Sequence, residues 1–439
     1  MKKILLKSLL FVTFQLSFAQ TNFDVSKLNR YFDELEKNDK FMGSVAVSEN
    51  GKVIYSRAIG YADVENKQRA NETSKYRIGS ISKTFTAVLI LKAVEERKVK
   101  LNQTIQKWFP TLKNSDRITI EYLLNHRSGI HNFTDDKDYL TWNTESKNEN
   151  EMLEIIAKEG CDFEPNTKSK YSNSNYVLLT YILEKIYKKP YADILQEHIV
   201  KPIGLANTKV FGKINPSNNE CKSYTFEKGW KLEKETDFTI PLGAGAIVST
   251  PTDLTKFADA LFGGKLLNSK SLKKMKTING KYGLGVFQLP FYEHKGYGHT
   301  GGIDGFSSIF AYFPENKISY AQISNGTNYN SNDVSIAILS AIYNKPYEIP
   351  VFTNYATSEE ELEKYVGVYS SVDIPLKITI FKEGTVLKGQ ATGQQSFILE
   401  ASEKDTFRFD KVGLKMEFNP LEKAMILTQG GQKIKFVKD

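Results

Sequence analysis

Along the first hundred residues the pattern of apolar and polar positions changes period twice. Leu28, Tyr31, Phe32 and Leu35 recur three and four apart, which predicts a helix over 26–38 with one buried side. Residues 43–48 and 53–56 then read as two short strands separated by Glu49-Asn50-Gly51-Lys52. Asn-Gly between two such runs marks a tight hairpin, because both turn positions need a left-handed backbone. A third strand through 58–62 is expected to complete an antiparallel meander. The period then lengthens again: Ile81, Phe85, Val88, Leu91 and Val94 predict a helix over 80–92 with one face in a core.

Further on, 119–129 reads as a short helix with Gly129 as its C-cap, and the polar loop 171–176 leads into an apolar helix. A small-residue strand over 243–248 precedes a helix capped at Thr250 or Thr252. Strands follow through 282–287, 298–303, 306–313 and 318–325, and a helix over 333–343 closes the unit. This order predicts an α/β (α+β) fold with a mainly antiparallel sheet flanked by helices, not a doubly wound one. After a linker at 346–357 comes a short acidic helix, then alternating strands at 376–381, 397–400, 406–409, 414–418, 425–428 and 434–437. They predict a small all-β, barrel-like accessory domain over 358–439, following a catalytic domain over 20–345.

The first nineteen residues stand apart. Lys2, Lys3 and Lys7 precede an apolar run over 9–16, and Ser17 and Ala19 place small residues before a cleavage point. This is the pattern of a secretory signal peptide, and the run is too short to span a bilayer. The expected location is therefore secreted or periplasmic, with no transmembrane anchor once the signal is removed. Removing the three lysines lowers the formal charge from +8 to +5, and the remaining lysines are scattered. No basic stripe with interleaved aromatics marks a nucleic-acid partner. Cys161 and Cys221 are the sole cysteines and no Cys/His cluster has zinc spacing. One disulfide or two separate thiols both remain open.

The chemistry begins at Ser80-x-x-Lys83, where helical spacing brings an ammonium to a hydroxyl at a helix start. A serine needs such a group to take its proton. A second copy, Ser271-Leu272-Lys273-Lys274, lies in a basic run and reads as a solvated helix face. Tyr171-x-Asn173 and His299-Thr300-Gly301 follow in order. No Gly-x-Ser-x-Gly elbow supports a Ser-His-Asp triad, so of five histidines only His299 is kept as a site residue; His126 and His131 read as loop packing.

With 76–79, 120–130 and 298–306, these motifs resemble the serine hydrolases related to class C β-lactamases and D-Ala-D-Ala carboxypeptidases, over about 28–343. The tail resembles, more loosely, the β-rich domain often appended to them. The resemblance implies Ser80 as acylated nucleophile and Lys83 as holder or acceptor of its proton. Tyr171 would act with Lys83 as base and then as acid to the leaving group, its phenol kept reactive by nearby positive charge. Asn173 would bind the acyl-side amide, and His299, Thr300 and Gly301 would lie on an edge strand facing the substrate. The N–H groups of Ser80 and Gly302 would form the oxyanion hole. No metal or organic cofactor is implied, and the partner is a small-molecule or short peptide substrate.

Efficient class C β-lactamases carry Lys-Thr-Gly where this chain has His299-Thr300-Gly301, so the fixed charge that draws a β-lactam carboxylate is weakened. The expected activity is acyl-enzyme hydrolysis of D-amino-acid peptides or related amides. The alternatives are an esterase or weak β-lactamase with the same chemistry and, from another class, a catalytically idle penicillin-binding sensor.

Overall fold

The computed structural model describes residues 24–439 apart from 354 and 431, so the segment read as a signal peptide lies outside the described residues. Helix Val25–Lys37 is capped by Asp24, whose side chain accepts from the Lys27 amide, and it buries Leu28, Tyr31, Phe32 and Leu35. Strands Phe41–Glu49 and Lys52–Ile59 form the expected hairpin, with Asn50 (φ +54°) and Gly51 (φ +80°) at the turn. The meander stops there. Gly60 takes φ +77° where a side chain would strike Met42, and Tyr61–Asp63 leaves to pair with Gln68–Arg69 in a separate ribbon.

The main sheet is antiparallel throughout, in the order Phe287–Phe291, His294–Ile303, Phe306–Phe313, Ile318–Thr327, Phe41–Glu49, Lys52–Ile59. The N-terminal hairpin therefore completes a sheet whose other strands come from the end of the catalytic unit. Alternation divides the two faces. Ala311 and Phe313 meet helices Val25–Lys37 and Ser331–Ile342, whereas Phe310 and Tyr312 join the core around helix Pro251–Phe262.

Helix Ser82–Glu95 departs from its expected one-sided burial: every residue from Ser82 to Leu91 is buried. Helix Asn173–Tyr187 and the Pro251–Phe262 helix pack around it, with Phe85 stacked 3.7 Å from Phe257. Ser80 lies not in this helix but in the 3-10 turn Gly79–Ile81 just before it. Helix Ile120–Leu124 ends at Asn125 rather than at Gly129, with His126 in left-handed conformation (φ +58°). Gly129 serves a close approach instead, since a Cβ there would lie 2.0 Å from the Phe163 carbonyl. Residues 282–286, read as strand, are irregular, and the strand begins at Phe287.

Beyond residue 366 the described residues form a closed eight-stranded barrel of sequential strands. Gly367–Ser370 closes it against Gln432–Lys438 through Tyr369–Lys438 and Ser370–Val437 pairs. That strand and Val386–Ala391 were missing from the sequence reading. Tyr369, Ile378, Ile380, Met416 and Phe436 fill the core. Rather than hanging free, the connecting segment packs on the catalytic unit: Tyr347 meets Tyr31 at 6.2 Å and Phe352 meets Tyr329 at 5.7 Å. Across the junction Lys40, 8% exposed, pairs with Asp410 at 2.9 Å and Glu400 at 3.1 Å. Cys161 and Cys221 are unpaired thiols.

Candidate active site

The turn that carries Ser80 is pressed against the end of strand His294–Ile303 that lies beyond its pairing with Phe287–Phe291. A side chain on Gly79 (φ +49°) would meet the Gly302 backbone at 2.7 Å, and one on Gly301 would lie 2.1 Å from the Ile78 carbonyl and 3.1 Å from the Ser80 amide. Ser308 Oγ donates to the Ile78 carbonyl at 2.9 Å. Arg77, only 2% exposed, binds Asp304 at 2.9 Å and Glu235 at 2.7 Å, and its guanidinium lies 4.0 Å over the Phe211 ring. The segment before Ser80 is thereby tied to the turn after Gly302, and the two backbones that carry the Ser80 and Gly302 amides are held face to face.

Lys83 Nζ is buried and has three partners: Ser80 Oγ at 2.9 Å, Asn173 Oδ1 at 2.7 Å and the Ala244 carbonyl at 2.7 Å. None is a carboxylate. Burial therefore holds its pKa well below the ordinary lysine value. A neutral amine has two hydrogens and one lone pair. The two carbonyl-type oxygens can only accept, so each takes one hydrogen, and loss of the third proton would leave the lone pair facing Ser80 Oγ. That is the arrangement of a base beside a nucleophile.

Burial raises the Tyr171 pKa above the ordinary phenol value, against a smaller lowering from the Ser80 side chain. The Tyr171 ring lies 4.8 Å from Lys83 Nζ. With its pKa raised, the resting phenol keeps its proton. Amine and phenol are thus pushed apart, one toward base and the other toward acid. Behind Tyr171 sits His126, buried, with ring centroids 4.4 Å apart. His126 Nδ1 accepts from the Ser172 amide at 3.2 Å, and burial pushes its pKa well below the usual histidine value.

Asn173 opens its helix, yet its side chain turns inward. Oδ1 accepts from Lys83, Nδ2 donates to Thr134 Oγ1 at 3.0 Å, and its own amide donates to Asn132 Oδ1 at 2.8 Å. His299 is buried, stacked 4.1 Å from Phe287, and 6.4 Å from the Tyr171 ring. Its Nδ1 donates to the Thr300 carbonyl at 2.5 Å, and burial brings its pKa down to about 3. It is a neutral group. Strand Phe287–Phe291 pairs only as far as Gly298, so 299–303 presents an open edge beside Ser80, with Thr300 and Gly302 exposed. Such an edge offers its amides and carbonyls to an extended ligand backbone.

All the residues singled out from the motifs meet here. His131 does not, lying between Asp136 at 3.1 Å and Asp162 at 2.7 Å. Sequence reasoning missed the Ala244 carbonyl, Asn132, Thr134 and the part played by His126. A backbone oxygen carries no residue signature, but His126 follows Asn125 directly before Arg127-Ser128-Gly129, and its place in that motif was a usable signal. Among the described residues no group of three or more His, Cys, Asp or Glu side chains is placed to hold a metal ion.

The fold is that of a serine hydrolase, and Ser80, Lys83 and Tyr171 lie together in it. Residues 28–345 match the Beta-lactamase family, and the chain belongs to it. It is 26% identical over 452 residues to a penicillin-binding protein of Bacillus subtilis (strain 168), covering 94% of this chain and 98% of that one. It is also 31% identical over 245 residues to the teichoic acid D-alanine hydrolase of Staphylococcus aureus (strain MRSA252), covering 56% and 59% respectively. Among solved structures, the D-amino acid amidase of Ochrobactrum anthropi SV3, complexed with L-phenylalanine amide, superposes with a TM-score of 0.64 at 27% identity. That match covers 73% of this chain and 98% of the amidase.

Proposed function

We propose that this protein is an exported hydrolase that cleaves D-aminoacyl amides or esters through an acyl-enzyme on Ser80. The observation that carries the reading is the buried Lys83 amine, which touches Ser80 Oγ and has two carbonyl-type oxygens and no carboxylate as its other partners. In acylation Ser80 Oγ attacks the substrate carbonyl and its proton passes to Lys83 Nζ. The oxyanion is received by the amides of Ser80 and Gly302. Collapse of the tetrahedral intermediate breaks the bond to the leaving amine or alkoxide, which takes its proton from the Tyr171 hydroxyl. The protonated Lys83 restores that proton through the hydrogen-bonded centre. A water then attacks the acyl-enzyme carbonyl and gives its proton to Lys83 Nζ, and collapse releases the acid as Ser80 Oγ takes that proton back from Lys83.

Two observations support a D-aminoacyl group joined to a neutral leaving group. His299 is buried and uncharged, so it offers a substrate carboxylate no fixed cation where a lysine would. The amidase and the D-alanine hydrolase among the similar proteins act, by name, on D-amino acid derivatives. Export rests on the leader-like pattern of 1–19.

The reading is tested by incubating the purified protein with D- and L-alanine amides, D-alanyl esters and a D-Ala-D-Ala peptide, measuring turnover and intact mass, with Ser80→Ala alongside. Turnover of D-amides or D-esters by the wild type alone is the expected result. Preference for the free-carboxylate peptide would overturn the substrate reading, and unchanged activity in Ser80→Ala would overturn the mechanism.

A further inference from the structure

The second Ser-x-x-Lys takes no part in the hydrolytic centre. It lies on helix Ser269–Lys276, where the Ser271 amide is taken by the cap Asn268 at 2.9 Å and Leu272 and Met275 are the buried side. Exposed Lys270, Lys273 and Lys274 of this helix rim a cavity of about 550 Å³. Its apolar lining comes from Leu91 and Val94, on the nucleophile helix, and from Leu101. Arg97, in the left-handed turn (φ +59°) that follows the helix, completes the basic rim.

The charges of this rim are not balanced. Glu121 neutralises Lys274 at 2.7 Å, and Glu95 is engaged by the Asn268 amide at 3.0 Å. Arg97, Lys270 and Lys273 have no ion-pair partner among the described residues. Like charges gathered over the half-buried Val94 and Leu101, with Leu91 buried beneath, repel one another and leave the surface of these two in water. A small anion would match the cations but not the apolar walls. A neutral hydrocarbon would match the walls and waste the cations. One ligand satisfies both: an alkyl chain ending in an anionic head.

We propose that this groove binds a phosphate-headed membrane lipid, its chain against Leu91, Val94 and Leu101 and its head among Arg97, Lys270 and Lys273. The site is separate from the hydrolytic cleft, because Ser80 precedes the start of the Ser82–Glu95 helix and the groove lies near its end, ~20 Å along the axis at 1.5 Å per residue. It would hold the enzyme at a lipid surface without drawing on the residues that cleave substrate.

The test is calorimetric titration of the purified protein with lysophosphatidylglycerol below its micellar concentration, beside glycerol phosphate and lysophosphatidylcholine. The anionic lipid should bind at least about tenfold more tightly than either control. Lys270→Glu with Lys273→Glu, both on the exposed face, and separately Leu101→Asn, should each abolish that preference and leave D-aminoacyl hydrolysis unchanged. Glycerol phosphate binding equally well would make this a site for free anions, and lysophosphatidylcholine binding equally well would make it an uncharged groove. Either outcome overturns the proposal, as does undetectable binding or full binding by the double lysine variant.

Discussion

Lys83 Nζ lies 2.7 Å from the carbonyl oxygen of Ala244, an atom that can only accept, so one amine hydrogen is fixed away from Ser80. The Asn173 oxygen fixes the other. Of these two partners, Asn173 belongs to a motif of the sequence, whereas the Ala244 carbonyl carries no residue signature.

Lys83 should show itself in two pH dependences. Acylation should fall as pH falls through the lowered lysine pKa, without needing the alkaline conditions that neutralise an ordinary lysine. Lys83→Arg, permanently charged, should slow acylation by about 10²–10⁴-fold, read by intact mass after rapid quench. Stability has a definite sign as well. Up to the ordinary value of 10.5 the unfolded chain keeps the proton that the fold releases, so stability rises with pH between the lowered value and 10.5. Urea unfolding at pH 7 and pH 10 should show a larger gain at the higher pH for the wild type than for Lys83→Met.

His126 backs the Tyr171 ring and receives the Ser172 amide. His126→Ala should lower kcat by about 10²-fold while KM changes little, as displacement of a positioned acid does. His126→Asn keeps an acceptor and tolerates the left-handed backbone, so it should recover part of the loss. A structural role alone would lower the urea midpoint and leave kcat per folded molecule intact.

Gly301→Ala would place a methyl 2.1 Å from the Ile78 carbonyl and 2.4 Å from Ser308 Oγ. The edge strand must back away from the nucleophile turn, and the two facing amides separate. Loss of one such donor costs about 3–4 kcal/mol of barrier. The expected result is a fall in kcat of about 10²–10³-fold with a normal far-ultraviolet circular dichroism spectrum.

Lys40 and Asp410 join the barrel to the catalytic unit with little exposure of either. Asp410→Ala leaves a buried ammonium short of its nearer carboxylate and should cost about 3–5 kcal/mol. Limited proteolysis should then cut between 346 and 357 faster than in the wild type. The pair Lys40→Met with Asp410→Leu should restore resistance. Equal cleavage of Asp410→Ala and wild type would show that apolar contacts alone hold the junction.

Much of this architecture was legible in the chain. Asn50-Gly51 announced the hairpin, Thr250 the helix cap, and the spacing of Ser80 and Lys83 their contact. What escaped depended on tertiary surroundings. Burial of the Ser82–Glu95 helix on every side comes from neighbours distant in sequence, and a one-face pattern cannot express it. Strand Val386–Ala391 carries Lys388, Gly389 and Gln390 among its six residues, which blurs the alternation. The burial that raises the Tyr171 pKa comes from residues brought together by the fold and has no local signature in the chain.

The clasp between Arg77 and Asp304 joins residues 227 positions apart. It also sets when in the life of the molecule catalysis can begin. The serine and lysine are translated early, but the strand that supplies the facing amide arrives only after most of the catalytic unit has been made. Chains ending before residue 299 would carry the nucleophile without the backbone that receives the oxyanion. On the proposed mechanism, hydrolysis is thus a property of the completed fold, withheld from the nascent chain until residues 77 and 304 have met.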